Sequence, residues 1–395
     1  MGPMGTPVRD DRNLSSLLHG PFPAPPETWG VVRRILARKR EFGITRLGSV
    51  TGLDRTGIQV AQVIRPTSRS VAVNQGKGIT DAQAAISGLM ESLEGWASER
   101  IAADRIWKAE IATMNRDGIW SDLLVEETCS GHQETMSWIQ GWDMMSGKLC
   151  PVPLALVDTD YIIPSPHPRW LARDTTGLAA GTSLQQAMAH ACFEILERHA
   201  RCMAMRTPHF FDRFQVDTDT IRSGMAGDII GRLFRAGFAV GVWTIPSDHG
   251  LPVYWCHIME STRQAPLAPF PAAGFGCDLT HDRALAKALL EACQSRLGVI
   301  SAAREDVTGH FYKEPNSYEL SAWRKLLSRG GSPYPNPEPG PPAENTLKPA
   351  LDAIALAGAK AAVAVVLFSD ESIPLHVVRM VAPPLQSNPE LSNDG

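Results

Sequence analysis

Three pairs of polar residues recur at one spacing in this chain: Glu91 with Glu94, Glu194 with Glu197, and Glu291 with Gln294. Residues three apart on an α-helix share a face, so each pair aims two oxygen-bearing side chains in one direction. The stripes extend further. Ser87, Glu91, Glu94 and Ser98 form the first; His190, Glu194, Glu197, Arg198 and Arg201 the second; Lys287, Glu291, Gln294 and Ser295 the third, with Arg296 pointing elsewhere. The rest of each segment is apolar or small, as with Ile86, Leu89, Met90, Leu93 and Ala97 in the first. Like charges one turn apart cost an exposed helix a few tenths of a kcal/mol. Buried, they need a counter-charge. Three helices with the same conflict point to carboxylates converging on hard cations, most naturally Mg2+, which takes oxygen ligands and brings substrate phosphates.

Each stripe needs a helix, and each helix has a start signal. Thr80 with Gln83, and Ser183 with Gln186, match a capping box; Thr280 is a plain N-cap. The helical patterns run from Thr80 to about Met114, from Ser183 to Met205 and from Thr280 to Ser301. Gly76, Lys77 and Gly78 precede the first cap. They read either as a glycine loop whose helix N-terminus favours anions or as a tight turn. No Gly stands where a Walker A sequence needs one, and Gly274 with Gly276 lacks the third Gly of a dinucleotide fingerprint.

The remaining patterns supply a frame. Trp29–Phe42 reads as an amphipathic helix. Strand character appears at residues 58–64, 70–73, 238–243, 253–259, 361–368 and 376–381. The fold class is α/β (α+β). Residues 1–28 form an arm, 29–386 one composite catalytic domain with an exposed Pro-rich connector at 332–345, and 387–395 a tail.

Composition limits the partners. The chain has 395 residues, 38 Lys+Arg against 42 Asp+Glu and a formal net charge of −4. That balance excludes a general binder of nucleic-acid phosphates or anionic lipid. No apolar run reaches the roughly 20 residues of a membrane span. The 7 cysteines are scattered without a CxxC, which fits a reducing cytoplasm. Cys129 with His132, Cys256 with His257 and His199 with Cys202 do not assemble a four-ligand zinc set. Cys277 reads first as a structural thiol, with holding sulfur as its alternative.

The three stripes, in order, resemble the three ATP-binding motifs of the YcaO superfamily over roughly residues 28–385. Thr51, Asp54, Arg55 and Gly57, then Arg304 and Asp306, then Val378 and Arg379, resemble its TfuA-associated branch. The resemblance implies ATP- and Mg-dependent O-phosphorylation of a peptide backbone amide. Sulfide then gives a thioamide, or a Cys, Ser or Thr side chain an azoline. A nucleotide-binding scaffold is the non-enzymatic alternative. The resemblance implies cofactor contacts at Lys77, Ser87, Glu91, Glu94, Thr182, Glu194, Glu197, Arg198, Glu291, Gln294 and Arg296. Glu91, Glu94, Glu194, Glu197 and Glu291 would hold metal, while Arg198 and Arg296 would meet phosphates or ribose. It implies a TfuA-like partner, a peptide or protein substrate and a homodimer. Four positions depart from the pattern: Gly95 where an Arg is usual, Thr182 where Asn is common, Asp278 where His is frequent, and Pro21 where a basic residue is expected.

Overall fold

The computed structural model describes residues 27–115, 117–121, 135–168, 170–171, 173–261, 267–304, 309–312, 316–335 and 346–385. Residues 1–26, most of the connector (336–345), the tail and the Cys129–His132 pair lie outside them.

Three sheets frame the molecule. The first is an antiparallel meander of β1 (Arg46–Ser49), β2 (Gln59–Ile64) and β3 (Val73–Gly78). The second has six strands. Its path runs β4 (Ile106–Glu110), β5 (Thr135–Asp143), β12 (Val363–Asp370), β13 (Leu375–Val381) and β7 (Leu178–Gly181), and β6 (Lys148–Pro153) also pairs with β5. The third has the order β11 (Ala272–Cys277), β10 (Val253–Glu260), β9 (Phe238–Ile245), β8 (Gln215–Val216). The helices of ten residues or more are α1 (Thr28–Ala37), α2 (Asp81–Ser98), α3 (Leu184–Arg206), α4 (Gly224–Arg235), α5 (His281–Ser301), α6 (Ser317–Leu327) and α7 (Leu347–Leu356). The fold is mixed α/β.

A strand–cap–helix unit occurs three times. β3 leads through Thr80 into α2, β7 through Ser183 into α3, and β11 through Thr280 into α5. Each of the three strands is the terminal strand of its sheet path. Each capping hydroxyl accepts the backbone N–H three residues on, a contact worth about 1 kcal/mol. Only Thr80 completes the reciprocal box. The Gln186 side chain instead accepts from the N–H and hydroxyl of Thr182, one residue before the cap.

Glycine explains how closely the units pack. A β-carbon on Gly76 would lie 1.9 Å from the Gly88 nitrogen, and one on Gly276 2.2 Å from the Ala284 oxygen. These strands lie directly on helix backbone along the small residues Ala84 and Gly88, or Ala284 and Ala288. Gly76, Lys77 and Gly78 therefore belong to a strand, not to an anion-binding loop. The helix after them also stops earlier than its pattern. At Ser98 the chain turns out, because Glu99 is drawn to the buried Arg65, Ser68 and Ser70.

The units close into a ring. α2 packs on its own sheet and also on β7, α3 also meets β11, and α5 also meets β3. One large apolar core lies beneath α3, a second beneath α4 and α5, and a third beneath α1 and α2. The connector begins less exposed than its composition suggests. Ser332 pairs with Val216, and Tyr334 is buried with its N–H on the Thr220 hydroxyl.

Candidate active site

Counted from the capping residue, the acidic pairs fall at the eleventh and fourteenth positions of all three helices. The seventh positions carry Ser87, His190 and Lys287. The ring therefore presents three similar stripes to one centre.

Bonds between units fix the stripes. Ala180 of β7 donates its N–H to Glu94 Oε1 at 2.7 Å. Lys77 of β3 reaches Glu291 Oε2 at 3.4 Å. Gln294 donates its amide to the Gln75 carbonyl of β3. Lys77 and Ala180 each lie three residues before a cap, as does Cys277, whose thiol feels Glu197. Within α3, Arg198 Nη2 donates to Glu194 Oε1 at 2.7 Å, and the Gly177 N–H donates to Glu194 Oε2 at 2.9 Å.

The electrostatics record crowding. Glu91, Glu94 and Glu197 keep some accessible surface inside the cleft, yet protein encloses them. Burial raises the Glu91 carboxyl, against the pull of Arg304 and Lys77. Burial, then Glu91 and Glu194, pushes Glu94 well above the ordinary range. Burial, with Glu291 and Glu194 next, lifts Glu197 to about 8. His190 keeps an exposed surface in the cleft, yet the surrounding protein, with Lys287 and Lys77, lowers it to about 4.

Not every expected residue reaches the cleft. Arg296 is fully buried; it donates to Asp54 at 2.9 Å, to Glu260 at 2.5 Å and to the Ala268 carbonyl at 2.9 Å. The expectation that it meets phosphate or ribose is corrected here, because its charge is spent on two buried acids. Thr182 commits its hydroxyl to Gln186. Ser87 is half-buried on the α2 stripe. Gly95 leaves room for Arg65, whose Nη2 lies 2.9 Å from where a β-carbon would stand. Asp278 is buried against Lys287 at 2.7 Å and Arg283 at 3.0 Å. Burial raises the Cys277 thiol, which disfavours the thiolate needed to carry sulfur.

Two further residues belong to the cluster. Arg304 approaches Glu91 at 3.6 Å, and the Asn74 side chain hydrogen-bonds it. Arg304 stands just past α5 and Asn74 within β3, so no helical periodicity points to either.

The sequence profile of the family described as YcaO cyclodehydratase, ATP- and Mg2+-binding, matches residues 75–386. The chain belongs to the YcaO family. It is 29% identical over 374 residues to an uncharacterised Rhizobium leguminosarum bv. trifolii protein from the tfuA 3' region, covering 92% of this chain and 87% of that one. This supports the TfuA-associated branch. The fold matches a YcaO structure from Methanopyrus kandleri bound with AMPPCP and Mg2+ (TM-score 0.69, 19% identity, 93% of each chain). It also matches a chain of the Escherichia coli microcin synthetase McbBCD complex with pro-MccB17 bound (TM-score 0.61, 12% identity, 85% of this chain and 87% of that one).

ATP and Mg2+ are thus the cofactors of this YcaO chain. Among the described residues no three acid, His or Cys side chains are already gathered to hold a metal ion, so the fit rests on charge. Glu91, Glu94, Glu194, Glu197 and Glu291 face Lys77, Arg198 and Arg304, with Lys287 shared with Asp278 and Arg379 shared with Asp174, and the raised protonation of Glu94 and Glu197 records that acid still outweighs base there. The buried Asn74 Oδ1 is left without a partner. Excess acid and spare oxygen are what a hard cation requires. No helix among the described residues is long and apolar enough to cross a membrane.

Proposed function

We propose that this YcaO protein activates a backbone amide of a peptide or protein and converts it to a thioamide, together with a TfuA-like partner. The observation that carries the reading is the surplus of carboxylates, supplied by three helices to one enclosed cleft. Glu91, Glu94, Glu194, Glu197 and Glu291 would hold Mg2+, and Lys77, Arg198 and Arg304 would meet phosphate. Bound Mg·ATP supplies the phosphoryl group that turns the amide oxygen into a leaving group, which sulfide displaces.

The chain's own residues position and neutralise charge, which is most of what phosphoryl transfer asks of a protein. Lys77 and Arg304 are paired with Glu291 and Glu91, and would turn to phosphate if those acids held Mg2+. Neutral His190 faces the same cleft and accepts or donates a hydrogen bond without adding charge. The tfuA setting of the Rhizobium relative supports the partner and, with it, sulfide over a side-chain nucleophile.

The test combines the purified chain, Mg·ATP, sulfide, a TfuA-like protein and a candidate peptide, read by mass spectrometry. A gain equal to exchanging oxygen for sulfur is expected. Loss of water would instead identify an azoline. ATP binding that peptide and partner never accelerate would identify a scaffold.

A further inference from the structure

Glu194 and Arg198 are aimed by a short turn rather than by their helix alone. The turn is Asp174 to Gly177, just before β7. Its Gly177 N–H donates to Glu194 Oε2 at 2.9 Å. Its Thr176 hydroxyl accepts from Arg198 Nη1 at 2.7 Å, and the Thr175 hydroxyl faces Arg198 Nη2 at 3.5 Å. With the Arg198 Nη2 bond to Glu194 Oε1, both oxygens of that carboxylate and both terminal nitrogens of that guanidinium are held. An i,i+4 pair alone is weak and leaves both side chains mobile.

The turn is itself built to keep its shape. Asp174 Oδ1 accepts the Thr176 N–H at 2.9 Å, and the Thr175 carbonyl accepts the Leu178 N–H at 3.0 Å. Gly177 has φ 77°, and a β-carbon there would lie 2.2 Å from the Met380 carbonyl oxygen. Two successive residues of β13 grip the turn. Met380 donates its N–H to the Gly177 carbonyl at 2.7 Å. Arg379 is 3% exposed; its Nη2 donates to the Asp174 carbonyl at 2.9 Å and approaches Asp174 Oδ1 at 3.4 Å.

We propose that Arg379 is a positioning residue: by clamping Asp174–Gly177 it holds Glu194 and Arg198 in the orientation that receives metal and phosphate. Arg379 makes no hydrogen bond to either; it acts on them through the turn and, at longer range, by its charge. The consequence for metal use rests on the functional reading above; the clamp itself does not. Sites of this kind need their groups held to about half an ångström, and a 1 Å error costs about a hundredfold in rate.

The experiment compares the full chain with R379M and R379K by two measurements. In R379M the Gly177 amide should exchange its hydrogen about tenfold faster or more, while Leu89 and Leu93 amides in α2 keep their protection. The Mg2+ needed for half-maximal peptide-stimulated ATP turnover should rise by about tenfold, with the peptide KM unchanged, and R379K should recover part of both losses. Unchanged Gly177 exchange overturns the clamp. Lost protection with an unchanged Mg2+ requirement overturns its role in aiming the site. If R379M does not fold, T176V removes the Arg198 contact and must raise the Mg2+ requirement in the same way. If the parent chain turns over no ATP, the functional reading falls, and the exchange result still decides the clamp.

Discussion

The chain buries charge in two ways. In the Arg296 knot and the Arg65–Glu99 pair, each guanidinium has its acids within 3 Å, and both ions are almost fully buried. In the cleft between α2, α3 and α5, carboxylates crowd one another and burial pushes their protonation upward. The knots are balanced in charge: Arg55, 3.1 Å from Glu260, adds the second cation to the Arg296 knot, although Asp54 Oδ1 and Glu260 Oε2 take no hydrogen bond among the described residues. The knots tie the segment at Asp54 to α5 and β10, and the end of α2 to the Arg65 turn. In the cleft, acid outweighs the base that faces it. Buried charge by itself therefore does not mark a functional site; an imbalance of buried charge does.

The widest separation between the two regions should come from removing one partner in each. Arg296→Met strands Asp54 in a dry interior and leaves Glu260 with only the half-exposed Arg55 to pair its charge, and the expected loss is about 3–5 kcal/mol of stability. Urea denaturation should show most of that chain unfolded at low denaturant. Glu194→Gln with Glu197→Gln should do the reverse. Affinity for Mg·ATP should fall by about a hundredfold or more, as two proposed ligands lose their charge, while the metal-free chain should unfold no sooner than the parent. Calorimetry with Mg·ATP and a thermal melt without it would separate the outcomes. A knot variant that melts like the parent would erase the contrast.

Backbone packing comes next. Gly76→Ala drives a methyl into the α2 backbone, and about 1–3 kcal/mol should be lost by overpacking. Melting should show it, together with weaker Mg·ATP binding, because β3 also carries Lys77.

The pH effect is smaller and has a definite sign. The folded Glu197 carboxyl titrates near 8, above its unfolded value of 4.5. Between those values the folded chain holds more protons than the unfolded one, so metal-free stability falls as pH rises through the window. Saturating Mg2+ should flatten or invert that slope in melts at successive pH values. Thr280→Ala should cost least, about 1 kcal/mol, by removing one cap from α5.

The cleft was far more legible in sequence than the knots. The helical stripes were readable because a 3.6-residue period places Glu91 beside Glu94, and Glu194 beside Glu197, without tertiary information. The caps were readable for the same local reason. Arg296 was misassigned because its partners Asp54 and Glu260 lie far away in sequence, and periodicity says which face a residue occupies but not what faces it. β3 was missed because Gly76 and Gly78 look like a loop by composition. They are glycines because a helix backbone lies against them. β7 and β11, which lead into α3 and α5, were hidden for a similar reason. Arg304 and Asn74 sit on no stripe at all.

The ring of three units has a thermodynamic consequence. Each acidic stripe belongs to one sheet's helix and is tied to the terminal strand of another sheet. A ligand spanning the stripes is then a keystone, whose binding free energy is felt by all three sheets together. At a hundredfold excess over its dissociation constant such a ligand adds about 2.7 kcal/mol to the folded state. That gain should appear as one sharper, later melt of the whole chain rather than as protection of a single lobe.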